Sequence, residues 1–233
     1  MKQGLYIFGF FFIIMGLSAC FDEPDYAAEP VITGIEDFYF VDVPGGFDTL
    51  VMRVNFQDGD GNLGLTARDE ESFEQYILPL PTDEHGELIK YDPSQGPFNC
   101  NKYAWPKGIN PLVIDGNTIT DTVRADQNPL VRNFEITIFT REQNGEYVAI
   151  DFGDPAICRA PLGGRFSPLK EDFSNTKPLV GTIQFSAPSL QFRSLFRNDS
   201  LRLGVVIRDR TGYESNMAIT EAFTLNDITR QED

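Results

Sequence analysis

Apolar and polar side chains alternate along several short stretches of the chain. Leu50, Met52, Val54 and Phe56 point one way, while Val51, Arg53, Asn55 and Gln57 point the other. Phe134, Ile136 and Ile138 alternate with Glu135 and Thr137, and Leu201, Leu203, Val205 and Ile207 alternate with Arg202, Gly204, Val206 and Arg208. A period of two places one set of side chains on one face of a pleated strand. Ile35–Val41, Tyr147–Phe152, Val180–Phe185 and Met217–Leu225 are further strand candidates, and Asn144-Gly145 predicts a hairpin turn. Helical periodicity is not sustained anywhere; Leu190–Phe196 is long enough for a single turn. Many short strands separated by turn residues predict an all-β antiparallel sandwich.

The alternation fails in two places. Between Leu65 and Pro129 it is interrupted by Pro79, Pro81, Pro93, Pro97, Pro106 and Pro111, and it fails again from Pro155 to Pro178. Structureless stretches of that length are usually functional or disordered. They are expected to be insertions near 65–129 and 155–178 in one domain spanning 31–233, with weak internal hairpins such as Tyr76–Leu80 against Leu88–Tyr91. A division into two domains is the runner-up.

The first residues follow a different pattern. Lys2 precedes an apolar run from Leu5 to Leu17, and no acidic residue occurs before Asp22. This is the layout of a secretory signal, and the run is shorter than the roughly 20 residues a membrane-spanning helix needs. Leu17-Ser18-Ala19-Cys20 resembles the lipobox of bacterial lipoproteins. The resemblance implies cleavage after residue 19 and a diacylglyceryl group on the Cys20 thiol. Two or more acyl chains give stable anchoring, at about 0.8 kcal/mol per buried methylene. Residues 20–30 are acidic and interrupted by proline, as in a flexible tether. Acidic residues after the lipidated cysteine also resemble the surface-export signal of Bacteroidota lipoproteins.

Charge supports an extracytoplasmic address. The chain has 19 basic and 35 acidic side chains, a formal net charge of −16; loss of Lys2 with the signal makes the mature chain one unit more negative. Nucleic acid and anionic membrane surfaces are therefore disfavoured as partners. Cys100 and Cys158 remain after lipidation of Cys20. In an oxidising compartment they can pair, which in the chain-entropy picture stabilises by about 4 kcal/mol, or remain two separate buried thiols.

Two motifs follow strands. One is Asp58-Gly59-Asp60-Gly61-Asn62-Leu63-Gly64, and the other is Asp209-Arg210-Thr211-Gly212-Tyr213-Glu214-Ser215-Asn216. Together, in this order and spacing, they resemble a group of largely uncharacterised Bacteroidota outer-membrane lipoproteins, over most of the stretch from Val31 to Leu225. The second motif also resembles bacterial immunoglobulin-like domains. The resemblance implies an immunoglobulin-like β-sandwich in the cell envelope. Tyr213 departs from it, standing where that group commonly has Asn.

Asp58, Asp60 and Asn62 are candidate calcium ligands, because alternating oxygen side chains resemble the first half of an EF-hand loop with Asp69 at its twelfth position. Leu63 occupies the position where that loop needs glycine, and no Glu closes it. The competing reading is a glycine-rich turn whose aspartates bond nearby backbone N–H groups. Tyr103 and Trp105, in Asn99-Cys100-Asn101-Lys102-Tyr103-Ala104-Trp105, are candidate ligand or partner contacts. Catalytic constellations are scarce: His85, the single histidine, sits in a turn-like segment, and no serine lies in a Gly-x-Ser-x-Gly context. The chain is therefore expected to be a non-enzymatic, outer-membrane-anchored lipoprotein, on the periplasmic face or the cell surface, serving as an interaction or accessory subunit of an envelope complex. The alternative is a calcium-assisted glycan-binding surface lipoprotein.

Overall fold

β1 (Val31–Asp42) and β2 (Thr49–Asp58) form a long antiparallel pair, and β10 (Leu179–Pro188) extends it on the far side of β2. In a computed structural model of the protein, the described residues are 24–42, 48–65, 75–106, 111–150, 162–170, 176–188 and 192–231. The expected export signal with Cys20, and also Asp69 and Cys158, lie outside them.

The sheet order is β10-β2-β1-β13, where β13 is Thr229–Gln231. A second sheet has the order β12-β11-β7-β8, from Ala218–Ile219, Leu201–Ile207, Phe134–Arg141 and Tyr147–Ala149; β9 (Leu162–Gly164) also pairs with β7. The fold is all-β, and these two larger sheets share one apolar core. Leu50, Met52, Val54 and Phe56 from β2 meet Ile136, Ile138, Leu203 and Val205 from β7 and β11. Across the sheets, the Phe134 and Phe185 rings stack with centroids 4.5 Å apart. Burying such side chains stabilises by about 1.5–3 kcal/mol each, and the alternation read from the sequence supplies this core.

Three details differ from expectation. First, β1 and β13 pair in parallel, with Phe40 opposite Thr229, so the sandwich-like arrangement is not wholly antiparallel. Second, the strand expected over Met217–Leu225 is limited to Ala218–Ile219. The Thr220 hydroxyl accepts the Leu203 N–H in place of a ladder carbonyl, and Leu225 begins the short helix α2 (Leu225–Ile228). The expected turn near Leu190–Phe196 is the helix α1 (Phe192–Phe196), which buries Phe192 and Phe196. Third, Tyr76–Leu80 does not pair with Leu88–Tyr91. Leu88 and Ile89 meet Thr82 and Pro81 instead, in a hairpin shifted along the chain. Both segments also reach residues 122–128: Ile77 N–H donates to the Asp126 carbonyl, Tyr91 N–H to Thr122 and Arg124 N–H to Ile89.

The insertion thereby acquires an apolar cluster of its own, formed by Tyr76, Leu80, Ala104, Ile114, Ile119, Val123 and Ala125. Its strands are very short. β3 (Tyr103–Ala104) pairs with β6 (Val123–Arg124), and β4 (Leu112–Ile114) pairs with β5 (Asn117–Ile119) through an Asp115-Gly116 turn. The second stretch is also tied down: β9 lies on β7, and Phe166 packs into the main core. Among the described residues, no helix is long and apolar enough to cross a membrane.

Candidate functional site

The two sequence motifs meet at one end of the molecule. Leu63 and Asp209 form an isolated bridge, which places the loop after β2 against the loop after β11, one from each sheet. Most residues of both motifs have structural work that explains their identity.

In the later motif, Asp209 is fully buried and its Oδ1 accepts the N–H groups of Thr211 and Tyr213, while the Thr211 hydroxyl lies 2.8 Å from both carboxylate oxygens. Ser215 Oγ accepts the Ile207 N–H and donates to the Asn216 carbonyl. The Asn216 side chain clamps β1, since its Oδ1 accepts from Ile32 N–H and its Nδ2 donates to the Ile32 carbonyl. Arg208 bonds Glu135 at 2.9 Å and Glu214 at 2.8 Å. Although burial works against its charge, these two carboxylates hold the guanidinium above its ordinary pKa. Tyr213 is half exposed.

The earlier motif packs more tightly. Gly59 N–H donates to the Ala27 carbonyl at 2.8 Å, so the described part of the expected flexible tether, residues 24–30, meets this loop at Ala27, and Pro30 is buried. A Cβ on Gly59 would overlap the Tyr26 and Ala27 carbonyls. One on Gly64 would overlap the backbone of Ser167 and Pro168, and φ there is +95°. Leu63 lies in the main core. Asp60 accepts the Asn62 N–H through Oδ1 and Asn62 Nδ2 at 2.9 Å through Oδ2, and Lys170 Nζ donates to the Asp60 carbonyl at 3.4 Å.

Asp58 is the exception. It ends β2, its side chain is fully buried, and neither carboxylate oxygen has a hydrogen-bond partner. Burial, and then the negative charges of Asp60 and Asp209, push its pKa up from 3.8 to about 6. The N–H groups of Asn62 and Leu63 lie on the same side and offset part of this rise, without reaching hydrogen-bond geometry to either oxygen. Asn62 Oδ1 is likewise buried without a donor. Its orientation follows from Asp60, which takes the amide Nδ2 and would repel a carbonyl oxygen there.

Of the calcium candidates, the structure thus brings Asp58, Asp60 and Asn62 together and adds Asp209, which no local spacing in the sequence indicated. Asp69 lies outside the described residues. Among those residues, no three His, Cys, Asp or Glu side chains form a metal-holding group by themselves.

The aromatic candidates fall elsewhere, on the insertion. Phe98 packs edge-on against Trp105, with centroids 5.1 Å apart, and stacks on Tyr103 at 5.8 Å; Tyr91 meets Tyr103 at 5.0 Å. All four rings are partly exposed. Tyr91 and Phe98 were missed because they lie several residues upstream in proline-rich sequence. Cys100 is buried and disulfide-bonded. His85 lies in an exposed turn whose N–H groups at His85 and Glu87 are held by Asp83 Oδ1. A separate cleft of about 820 Å³ is lined by Arg193, Arg197, Asn198, Asn226 and Thr229, and Arg193 is already paired with Asp42 at 2.7 Å.

Comparison with protein-family models, with curated proteins and with solved structures finds no match.

Proposed function

We propose that the chain is a lipid-anchored envelope lipoprotein whose single immunoglobulin-like domain binds a protein partner through its β2–β7 insertion and performs no catalysis. The immunoglobulin-like reading is supported by strand order. β10-β2-β1 and β12-β11-β7-β8 correspond to E-B-A and G-F-C-C′. In that correspondence the insertion replaces the B–C loop, and Asp209–Asn216 is the F–G loop. These are loops that variable domains use for recognition.

The observation that carries the proposal is the insertion's set of partly exposed rings, Tyr91, Phe98, Tyr103 and Trp105, mounted beside its own apolar cluster. Aromatic side chains dominate the binding energy of protein interfaces. The anchor adds a geometric restriction. Ala27 is hydrogen-bonded to the β2 loop, and the seven residues back to Cys20 reach at most about 25 Å. Lipidation at Cys20 therefore holds this end of the domain close to the bilayer, which favours a membrane-embedded or membrane-apposed partner.

The test combines anchoring with site-specific crosslinking in cells. Cys20→Ala is expected to release the protein from the membrane fraction, and the native N-terminal peptide should carry fatty acid. A photocrosslinker at position 103 should capture a membrane protein that one at the exposed Thr182 does not. Unchanged fractionation of Cys20→Ala, or equal labelling from both positions, contradicts the proposal. The same rings favour a second reading, glycan binding by stacking; in that case Trp105→Ala abolishes binding on a glycan array.

A further inference from the structure

We propose that the loop after β2 is a divalent-cation site, selective for calcium, in which both carboxylate oxygens of Asp58 and Oδ1 of Asn62 supply the side-chain ligands. The inference rests on three buried oxygens and is independent of the anchoring and partner reading.

Both Asp58 oxygens and Asn62 Oδ1 are closed off from solvent and receive no hydrogen bond. Buried acceptors left without donors are rare in folded proteins, and each one requires an explanation. A buried carboxylate is normally paired or metal-bound. The rest of the motif narrows the explanation. Asp60 spends its carboxylate on Asn62 and fixes the amide so that Oδ1 faces away from it. Asp209 already has three donors on Oδ1, so it contributes negative potential rather than a ligand. Asp60 and Asp209 both act on Asp58 as neighbouring negative charges. Lys170 bonds the Asp60 carbonyl.

The unpartnered groups are hard oxygen donors, which suit calcium, an ion that tolerates irregular coordination and uses amide and backbone carbonyls together with water. Among the described residues no three His, Cys, Asp or Glu side chains gather at this loop, so carbonyl and water oxygens would have to complete the coordination. It is not an EF-hand, since Leu63 is committed to the core. With few charged ligands, affinity belongs in the weak extracellular range, ~10⁻⁴–10⁻³ M.

The test is thermal unfolding of the full purified chain in detergent at pH 7, first in chelator and then with 10 mM CaCl₂ at matched ionic strength. The wild type is expected to gain about 3–10 °C. Asp58→Asn should remove the gain, and Asp121→Asn, an exposed control, should leave it unchanged. A wild-type curve that calcium does not move overturns the proposal. So does an equal gain in Asp58→Asn, which would indicate general screening of an acidic surface. If Asp58→Asn does not fold, calorimetric titration of the wild type with calcium alone decides, and the absence of saturable heat is the overturning result.

Discussion

Asp58 and Asp209 occupy matching places at one end of the protein. Asp58 is the last residue of β2 and Asp209 follows β11 by two residues, one from each large sheet, and each is fully buried. Their surroundings differ. Asp209 turns the chain back on itself so that the N–H groups of Thr211 and Tyr213 and the Thr211 hydroxyl meet its carboxylate. Asp58 precedes a loop whose glycines are pressed against the backbone of neighbouring segments, and its carboxylate receives none of that loop's hydrogen bonds. Burial of an aspartate in this fold is thus resolved in two ways. One loop satisfies its own carboxylate, and the other leaves its carboxylate oxygens without a donor.

The contrast can be broken most severely at Gly64. Alanine there must displace the Ser167–Pro168 backbone and adopt φ near +95°; overpacking and backbone strain together should destabilise by about 3–5 kcal/mol in a denaturant melt. Asp209→Ala comes next. It strands buried N–H donors and should destabilise by about 2–4 kcal/mol, with calcium unable to restore the loss.

Asp58→Asn carries the opposite sign. With a folded pKa of about 6 against an ordinary 3.8, the calcium-free folded state holds the Asp58 proton more tightly than the unfolded state does. Its contribution to stability is therefore present below pH 4 and lost as pH rises to about 6, by roughly 3 kcal/mol. At pH 7 in chelator, Asp58→Asn should be more stable than wild type by up to that amount and should lack this part of the pH slope. An Asn variant less stable than wild type at pH 7 without calcium would show that the loop already satisfies the carboxylate. The smallest effect belongs to Gly212→Ala. Its φ is +90°, but no atom lies within 4 Å of the added Cβ, so only conformational strain of about 1–2 kcal/mol is expected.

The sheets were readable from the sequence because long ladders repeat one physical rule. Every second side chain of β2, β7 and β11 enters the same core, so the alternation of Leu50 to Phe56 and Leu201 to Ile207 is itself the structure. The insertion follows no such rule. Its strands have two or three residues, too few for a period to register, and side chains acting one by one set its path. Asp83, Asp92, Asn99 and Asn128 each accept an N–H two residues on. Asp115-Gly116 was a readable hairpin signal, obscured by the surrounding prolines. The parallel β1–β13 pair has no local signature either, because its partners are far apart in sequence.

The same division holds for the site. The spacing of Asp58, Asp60 and Asn62 drew attention to oxygen chemistry but could not rank the three residues. Asp60 and Asn62 form an internal pair, and only tertiary packing shows that Asp58 is the one left bare. Asp209 joins them through a bridge between residues far apart in the chain, which no local motif records.

The central claim is that the Asp58 carboxylate has no hydrogen-bond partner among the described residues, and a carboxyl-carbon NMR titration of that residue tests it most directly. In chelator the resonance should titrate near pH 6, and saturating calcium should move its midpoint well below that value. A midpoint near 3.8 in chelator, unmoved by calcium, would contradict the account and return the loop to the status of an ordinary glycine-rich turn.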